Sequence, residues 1–497
     1  MIQTIPIERS YSLSDYEKNV QLTRAVLDLR TEAAALVPRL SGRKVWMVNS
    51  AAHGGGVAEM LPKLVSLLRQ VGVDCEWVVM ATDQAEFFGL TKQLHNLIHG
   101  AGEPVVNGHQ QQLYRRVSGA LAREMLPMLA PDDILVCHDP QPAGMGALVK
   151  QQLGLPAIWR CHIGLDETTQ QTEAAWQFLE PYVTAYDHAV FSAPEYLPRY
   201  LTNKVSIIHP SLDPLSFKNR ELTPHMVAGV LTCAGLIEPR HPVSTPPFER
   251  KAERLQPDGS FGPADRPEEI GLLFRTIVTQ ISRWDRLKGW QPLLEAFTRM
   301  KRRAASGELD LTPHERRRVQ LARLVLAGPE PASVADDPEA TEVLGRLVER
   351  YRALDRQMQK DVVLLSLPMT SRRENHLMVN ALQRCSSVVV QNSLREGFGL
   401  TVTEAMWKRI AVLGSSACGI RQQIRDGIDG RLSADPSEPA QVEAALVELL
   451  NDIEGRDAYA LSAQRRVHDE FLMFAHVRRW LEVLVHTVAD RPSVPVL

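Results

Sequence analysis

Short apolar runs alternate with stretches of helical length along most of the chain. The first run is Lys44-Val-Trp-Met-Val-Asn49. A stripe follows at Val57, Leu61, Leu64, Val65, Leu68 and Val71. Spacings of three and four place these side chains on one face of a helix. The next run spans residues 76–80. A strand, a crossover helix and a second strand make a parallel pair. The rhythm predicts further strands at 134–137, 157–161, 189–191 and 205–208. A second series predicts strands at 276–281, 324–326, 362–365, 388–390 and 411–413. Its helices are expected over 291–304, 339–359, 374–384 and 401–408. The first forty residues read as polar and helical, with Leu27, Leu29 and Leu36 assigned to one face. Residues 438–488 read as helices.

Between the two series lies a Pro-rich passage, about 223–268, containing PRHPVSTPPFER and QPDGSFGPADRPEE. Its composition is that of a loop or flexible excursion. Two α/β series in one chain imply an α/β fold of two Rossmann-like domains facing across a cleft. In such open sheets ligands bind beyond the carboxyl ends of the strands.

Composition narrows the function. The chain has 497 residues, 23% charged and 44% hydrophobic, with a net charge of −3. This is an ordinary globular balance. It lacks the positive field that nucleic-acid backbones require, so no nucleic-acid partner is expected. No apolar stretch reaches 18 residues, so no membrane span is expected. The first residues lack a secretory pattern, and the six cysteines form no CxxC pair, which points to reduced thiols and a cytoplasmic location.

Five segments just after predicted strands carry candidate chemistry. His53-Gly-Gly-Gly-Val57 joins a strand to a helix, where glycines and unpaired N–H groups suit a diphosphate. A tight turn without a ligand fits the same pattern. Arg283-Trp-Asp-Arg-Leu-Lys288 offers two cations five residues apart, able to converge on a diphosphate or to form a solvated basic loop. In Arg395-Glu396-Gly-Phe-Gly-Leu-Thr-Val-Thr-Glu404, a helix starting near Leu400 puts Glu404 on its second turn and leaves Glu396 in the loop. A carboxylate can accept both hydrogen bonds of a vicinal diol. An ordinary helix entry with surface glutamates is the alternative. Arg160-Cys-His162 places a histidine at a strand end, as a sugar-hydroxyl donor, a general base or a structural residue. His138, Asp139 and Gln141 follow another strand, where they would bind hydroxyls or cap a helix. No Asp-x-Asp, HExxH or Gly-x-Ser-x-Gly motif occurs.

Taken in this order, the glycine turn, the Arg/Lys turn and the Glu-(seven residues)-Glu element resemble the retaining glycosyltransferases of family 4, with the GT-B fold. The strings VNSAAHGGGVAEML, WRCHIGLD, HPSLDPLSFKN, ISRWDRLKG, ADDPE and SLREGFGLTVTEAMWK resemble the trehalose glycosyltransferring synthases within it. The resemblance spans about 40–220 and 270–435. It implies an acceptor-side domain over 1–215, with a helix at about 472–490 packing back on it. A nucleotide-sugar domain would cover 216–471, with the Pro-rich insertion at 223–268.

By the same resemblance, Gly55, Gly56 and Val57 would face the donor diphosphate, and Arg283 and Lys288 would neutralise it. Glu396 would hold the donor glucose beside the N–H groups of Phe398, Gly399 and Leu400. Glu404 would bind the ribose. His162 would lie near the reacting carbon, with His138, Asp139 and Gln141 on the acceptor side. The implied reaction moves glucose from UDP- or ADP-glucose to free glucose with retention, giving trehalose, in a reversible direction. No metal is required, and Mg2+ is expected at most to stimulate. The expected partners are nucleotide-glucose and a small sugar acceptor, with a homodimer left open. Transfer to another acceptor, trehalose phosphorolysis, epimerisation and non-catalytic nucleotide-sugar binding are the competing readings. The Pro-rich passage is longer than the resemblance leads one to expect, which bears on the acceptor more than on the donor.

Overall fold

A computed structural model describes residues 1–7, 11–53, 55–82, 84–201, 203–238, 247–264, 266–333 and 339–489. The chain divides into two units, Met1–Ser211 together with the segment from Glu470, and Leu212–Asp469.

The first unit carries strands β1 (Ile2–Thr4), β2 (Val45–Asn49), β3 (Cys75–Met80), β4 (Ile134–His138), β5 (Ala157–Arg160), β6 (His188–Phe191) and β7 (Val205–Ile207). They lie in the order β1-β3-β2-β4-β5-β6-β7. All neighbours are parallel except β1, which pairs antiparallel with β3. Strands β2, β4, β5 and β6 are buried throughout, as strands covered by helices on both faces must be. The helix Gly55–Gln70 buries Leu61, Leu64, Val65 and Leu68, the predicted stripe. The last helix, Met473–Ala489, joins this unit. Phe474 meets Tyr16 edge-on at 5.1 Å, and Arg478 pairs with Glu32 on the helix Thr23–Leu36. That helix buries Ala25, Val26, Leu29 and Ala33. Leu27 is exposed, correcting the assigned face, because residues two apart point to nearly opposite sides of a helix.

The second unit carries β8 (Glu253–Leu255), β9 (Phe261–Gly262), β10 (Ile277–Ile281), β11 (Arg323–Pro329), β12 (Val362–Leu367), β13 (Val388–Gln391), β14 (Ala411–Ser415) and β15 (Arg431–Ser433). Their order is β15-β14-β13-β10-β11-β12-β8-β9. The six strands from β10 to β15 are parallel.

The Pro-rich passage departs from the expected loop. Residues 239–246 lie outside the described residues, but much of the rest is ordered into elements. Thr223 caps a helix, Pro224–Cys233, its hydroxyl accepting from the Met226 N–H at 3.3 Å. Proline at the first helical position costs nothing, since that N–H has no helical partner. Val227, Val230, Leu231 and Ala234 recur at three and four and enter one core with Val325, Ala327 and Leu365. Strands β8 and β9 extend the sheet antiparallel from β12. The expected helix over 339–359 is two, Ala340–Arg352 and Arg356–Asp361, because Asp355 caps the second through the Met358 N–H at 2.9 Å.

In each sheet the chain first winds to one side and then restarts on the other. The two strands at that reversal are β2 and β4 in the first unit, and β10 and β13 in the second. Loops leaving their carboxyl ends diverge and open a crevice.

Candidate active site

In the second unit the loop after β10 delivers Lys288. The Asp285 carboxylate accepts from the Leu287 N–H at 2.7 Å and starts a short 3-10 turn, Arg286–Lys288. Gly289 then adopts φ 62°, and a Cβ there would lie 1.9 Å from the Asn392 carbonyl oxygen. Glycine is therefore what lets the β10 and β13 loops meet. The Gln280 amide closes the turn by donating to the Lys288 carbonyl at 2.8 Å.

The loop after β13 delivers Glu396. Lys288 Nζ lies 2.7 Å from Glu396 Oε2, with the two side chains 12% and 13% exposed. Ser393 Oγ donates to the same oxygen at 3.0 Å, and Gln391 Nε2 donates to Ser393 Oγ at 2.8 Å. Gly399, at φ 81°, caps the helix Leu400–Trp407, and a Cβ on it would meet Glu396 Cγ at 2.9 Å. A carboxylate and an ammonium are thus held beside a helix N-terminus, whose dipole favours anions. Phe398 is buried, its carbonyl accepting from the Gln423 amide, while Leu400 is exposed.

Arg283 leaves the same loop five residues before Lys288. Its side chain is 53% exposed and lies 3.8 Å from the Asp285 carboxylate. Glu404 sits on the second helical turn and is 3% exposed. Its Oε1 is 2.8 Å from Lys218 Nζ, and its buried Oε2 has no hydrogen-bond partner among the described residues. A buried carboxylate oxygen without a donor is the kind of group a bound hydroxyl would complete. One turn on, Lys408 donates to the Glu404 carbonyl at 3.1 Å and to Asn219 Oδ1 at 3.2 Å. Burial pulls its ammonium down to about 7.

In the first unit Gly55 begins the helix Gly55–Gln70, and Gly56 is exposed with nothing within 4 Å of where a Cβ would stand. Gly54, in the same turn, lies outside the described residues. The ends of β4 and β5 bring together His138, Asp139 and His162. His138 Nδ1 and His162 Nε2 are 2.9 Å apart, with the rings stacked at 14°. Asp139 takes φ 67°, a costly conformation for a non-glycine residue. Its carboxylate accepts from the His162 N–H at 2.8 Å, and burial pushes it up to about 6. Burial first, then the nearby Arg160 charge, hold His162 well below the ordinary histidine value.

His138 lies deeper than the residues around it. It is buried, with Nε2 3.5 Å from Met47 Sδ and its ring 6.2 Å from Trp480. Its ring stacks on that of His162. Asp139, Gln141 and His162 are only partly buried, though Gln141 Oε1 is itself hidden and lacks a partner among the described residues.

The trehalose synthase N-terminal domain matches residues 47–198, and the glycosyl transferases group 1 domain matches residues 273–466. Trehalose synthase of Pyrococcus horikoshii is 33% identical over 452 residues, 90% of each chain. The chain belongs to the trehalose synthase family of glycosyltransferases. A trehalose phosphorylase of Grifola frondosa is 24% identical over 459 residues, covering 90% of this chain and 57% of the phosphorylase. Among solved structures, an α,α-trehalose-phosphate synthase (UDP-forming) from Burkholderia xenovorans in complex with glucose-6-phosphate aligns with a TM-score of 0.59. It is 14% identical and covers 90% of this chain and 100% of that one. The fold is GT-B.

For this family member, several groups that arrange the site escaped the sequence reading. Gln391 and Ser393 seat Glu396, and Gln280 and Asn392 lock the Lys288 turn. A run of polar residues ending an apolar strand, Gln391-Asn-Ser393, was the signal available. Lys218, Met47 and Trp480 carried none, since each reaches its partner from far along the chain.

Proposed function

We propose that the chain transfers glucose, with retention, from UDP- or ADP-glucose to free glucose and so forms trehalose. The observation that carries this reading is the Lys288–Glu396 pair at the β10/β13 reversal, next to the start of the helix Leu400–Trp407. Family membership supports the trehalose chemistry.

Lys288 and Arg283 would neutralise the donor diphosphate, and Glu396 would hold the glucose beside the N–H groups of Phe398, Gly399 and Leu400. Glu404 Oε2, which has no hydrogen-bond partner among the described residues, would take the ribose hydroxyls. Gly55, Gly56 and Val57 would offer a helix start to the diphosphate. His162 would contact the donor sugar, and Asp139 and Gln141 the acceptor. The acceptor oxygen bonds to the anomeric carbon as the bond from that carbon to the phosphate oxygen breaks. The leaving phosphate oxygen takes the acceptor proton, so no protein nucleophile enters. Charge on the departing diphosphate is where preorganised cations act most strongly.

The likeness to trehalose phosphorylase supports a second reading, in which inorganic phosphate cleaves trehalose. Release of nucleoside diphosphate from each nucleotide-glucose, measured with and without glucose, tests transfer. Glucose 1-phosphate formed from trehalose and inorganic phosphate, with no release of nucleoside diphosphate, would replace transfer with phosphorolysis.

A further inference from the structure

Three neighbouring strands of the first unit bring three side chains into a line. Met47 stands on β2 and His138 ends β4, and these strands pair in parallel with Met47 opposite Val136. On the other side of β4, β5 places Arg160 opposite His138, and His162 follows two residues later. His138 Nε2 lies 3.5 Å from Met47 Sδ, and His138 Nδ1 lies 2.9 Å from His162 Nε2. The His162 backbone is held on both sides. Its N–H donates to Asp139 Oδ1 at 2.8 Å, and its carbonyl accepts from Ser192 Oγ at 3.4 Å.

These contacts fix where the ring protons sit. His138 is 1% exposed, and burial holds both imidazoles uncharged. An uncharged imidazole carries one N–H and one lone pair, and a thioether sulfur can only accept. The His138 nitrogen facing Met47, Nε2, is therefore the one that carries the proton. The opposite assignment would turn two lone pairs on each other in a dry core, which leaves a buried nitrogen unsatisfied. His138 Nδ1 is then a lone pair, and only a proton on His162 Nε2 completes the 2.9 Å contact. With its single proton given to His138, His162 keeps a bare Nδ1. That nitrogen has no hydrogen-bond partner among the described residues and belongs to a partly exposed residue.

We propose that His138 is a positioning residue, itself set by Met47, that fixes His162 as a hydrogen-bond acceptor. His162 then presents a lone pair to a sugar hydroxyl, and the site selects a hydroxyl that donates. The sugar contact rests on the transferase reading, and the tautomer does not.

The test reads the tautomer directly. Ligand-free protein labelled with nitrogen-15 in histidine alone is examined by long-range proton–nitrogen correlation, in which a bare ring nitrogen resonates far downfield of a protonated one. His162 is assigned by difference against His162→Ala, or His162→Gln if that variant does not fold. The expected state is a protonated Nε2 and a bare Nδ1, and a proton on His162 Nδ1 overturns the proposal. Met47→Leu keeps the volume and removes the sulfur, so the His162 Nδ1 signal should move toward the protonated position. An unmoved signal overturns the part given to Met47, and if Met47→Leu does not fold the wild-type tautomer decides. The second arm measures the affinity of nucleotide-glucoses that lack one sugar hydroxyl at a time. The hydroxyl His162 contacts is the one whose loss weakens binding about threefold to tenfold in wild type and not at all in His162→Ala. Fluorine in its place accepts and cannot donate, so it should bind as weakly as the deoxy compound. A fluoro compound that regains the lost affinity shows His162 donating and overturns the proposal. If no hydroxyl depends on His162, the sugar contact is refuted while the tautomer result stands.

Discussion

Replacing Lys288 with Met removes a charge and keeps most of the side-chain volume. The ammonium it deletes lies 2.7 Å from Glu396 Oε2, with both side chains nearly buried. Unit charges 4 Å apart attract by about 4 kcal/mol at an effective dielectric near 20, and desolvation offsets much of that. Glu396 would keep its bonds from Ser393 and Gln391. The stability loss should therefore be about 1–3 kcal/mol, below the about 3–5 kcal/mol of a fully orphaned buried charge. Turnover should fall further, by about 10²–10³-fold, as when one preorganised group at a developing charge is removed. The assay is kcat with nucleotide-glucose and glucose, at a temperature where the variant is folded, with urea unfolding alongside. Lys288→Met/Glu396→Gln separates a structural pair from a diphosphate clamp. It should recover stability, because no charge is left unpaired, and should not recover turnover. A double variant that regains both, or a Lys288→Met enzyme with wild-type kcat, would refute the clamp.

Other expectations follow from the same geometry. Arg283→Ala, at a half-exposed position, should leave stability within about 0.5 kcal/mol while lowering turnover about 10²-fold, and comparing kcat with the urea midpoint checks both. Gly289→Ala should destabilise by more than about 3 kcal/mol, since its Cβ would strike the Asn392 carbonyl, and thermal unfolding reads this directly. Lys408 binds its proton less tightly when folded, its value falling from 10.5 to about 7. Between those values the unfolded chain holds more protons, so stability rises with pH. Urea unfolding from pH 6 to 9 should show wild type gaining on Lys408→Met above pH 7, and parallel curves would contradict the assignment.

The parallel strands were legible because both their faces are covered, which leaves uninterrupted apolar runs such as Val45–Asn49 and Val362–Leu367. Edge strands β1 and β15 are three residues long and only partly buried, too short to leave a pattern. In the 223–268 passage, prolines masked the helical spacing of Val227, Val230, Leu231 and Ala234, although a proline at a helix start is neutral. Lys288, Glu396 and Glu404 stood out as candidates because they follow strands at the sheet reversal, a position set by topology. The burial of His138 was not legible, because it depends on Met47 and Trp480, which only the folded chain brings to it. Arg160 was quoted in a motif and given no role, since a burial this complete has no local signature.

The central claim is the transfer of glucose between a nucleotide and free glucose. Proton NMR of the purified protein with UDP-glucose or ADP-glucose, with and without glucose, tests it most directly. The expected result is a symmetric α,α-linked disaccharide that appears only when donor and glucose are both present, and that also names the donor. Both nucleotide-glucoses left intact in the presence of glucose, by a protein that binds them, would contradict it.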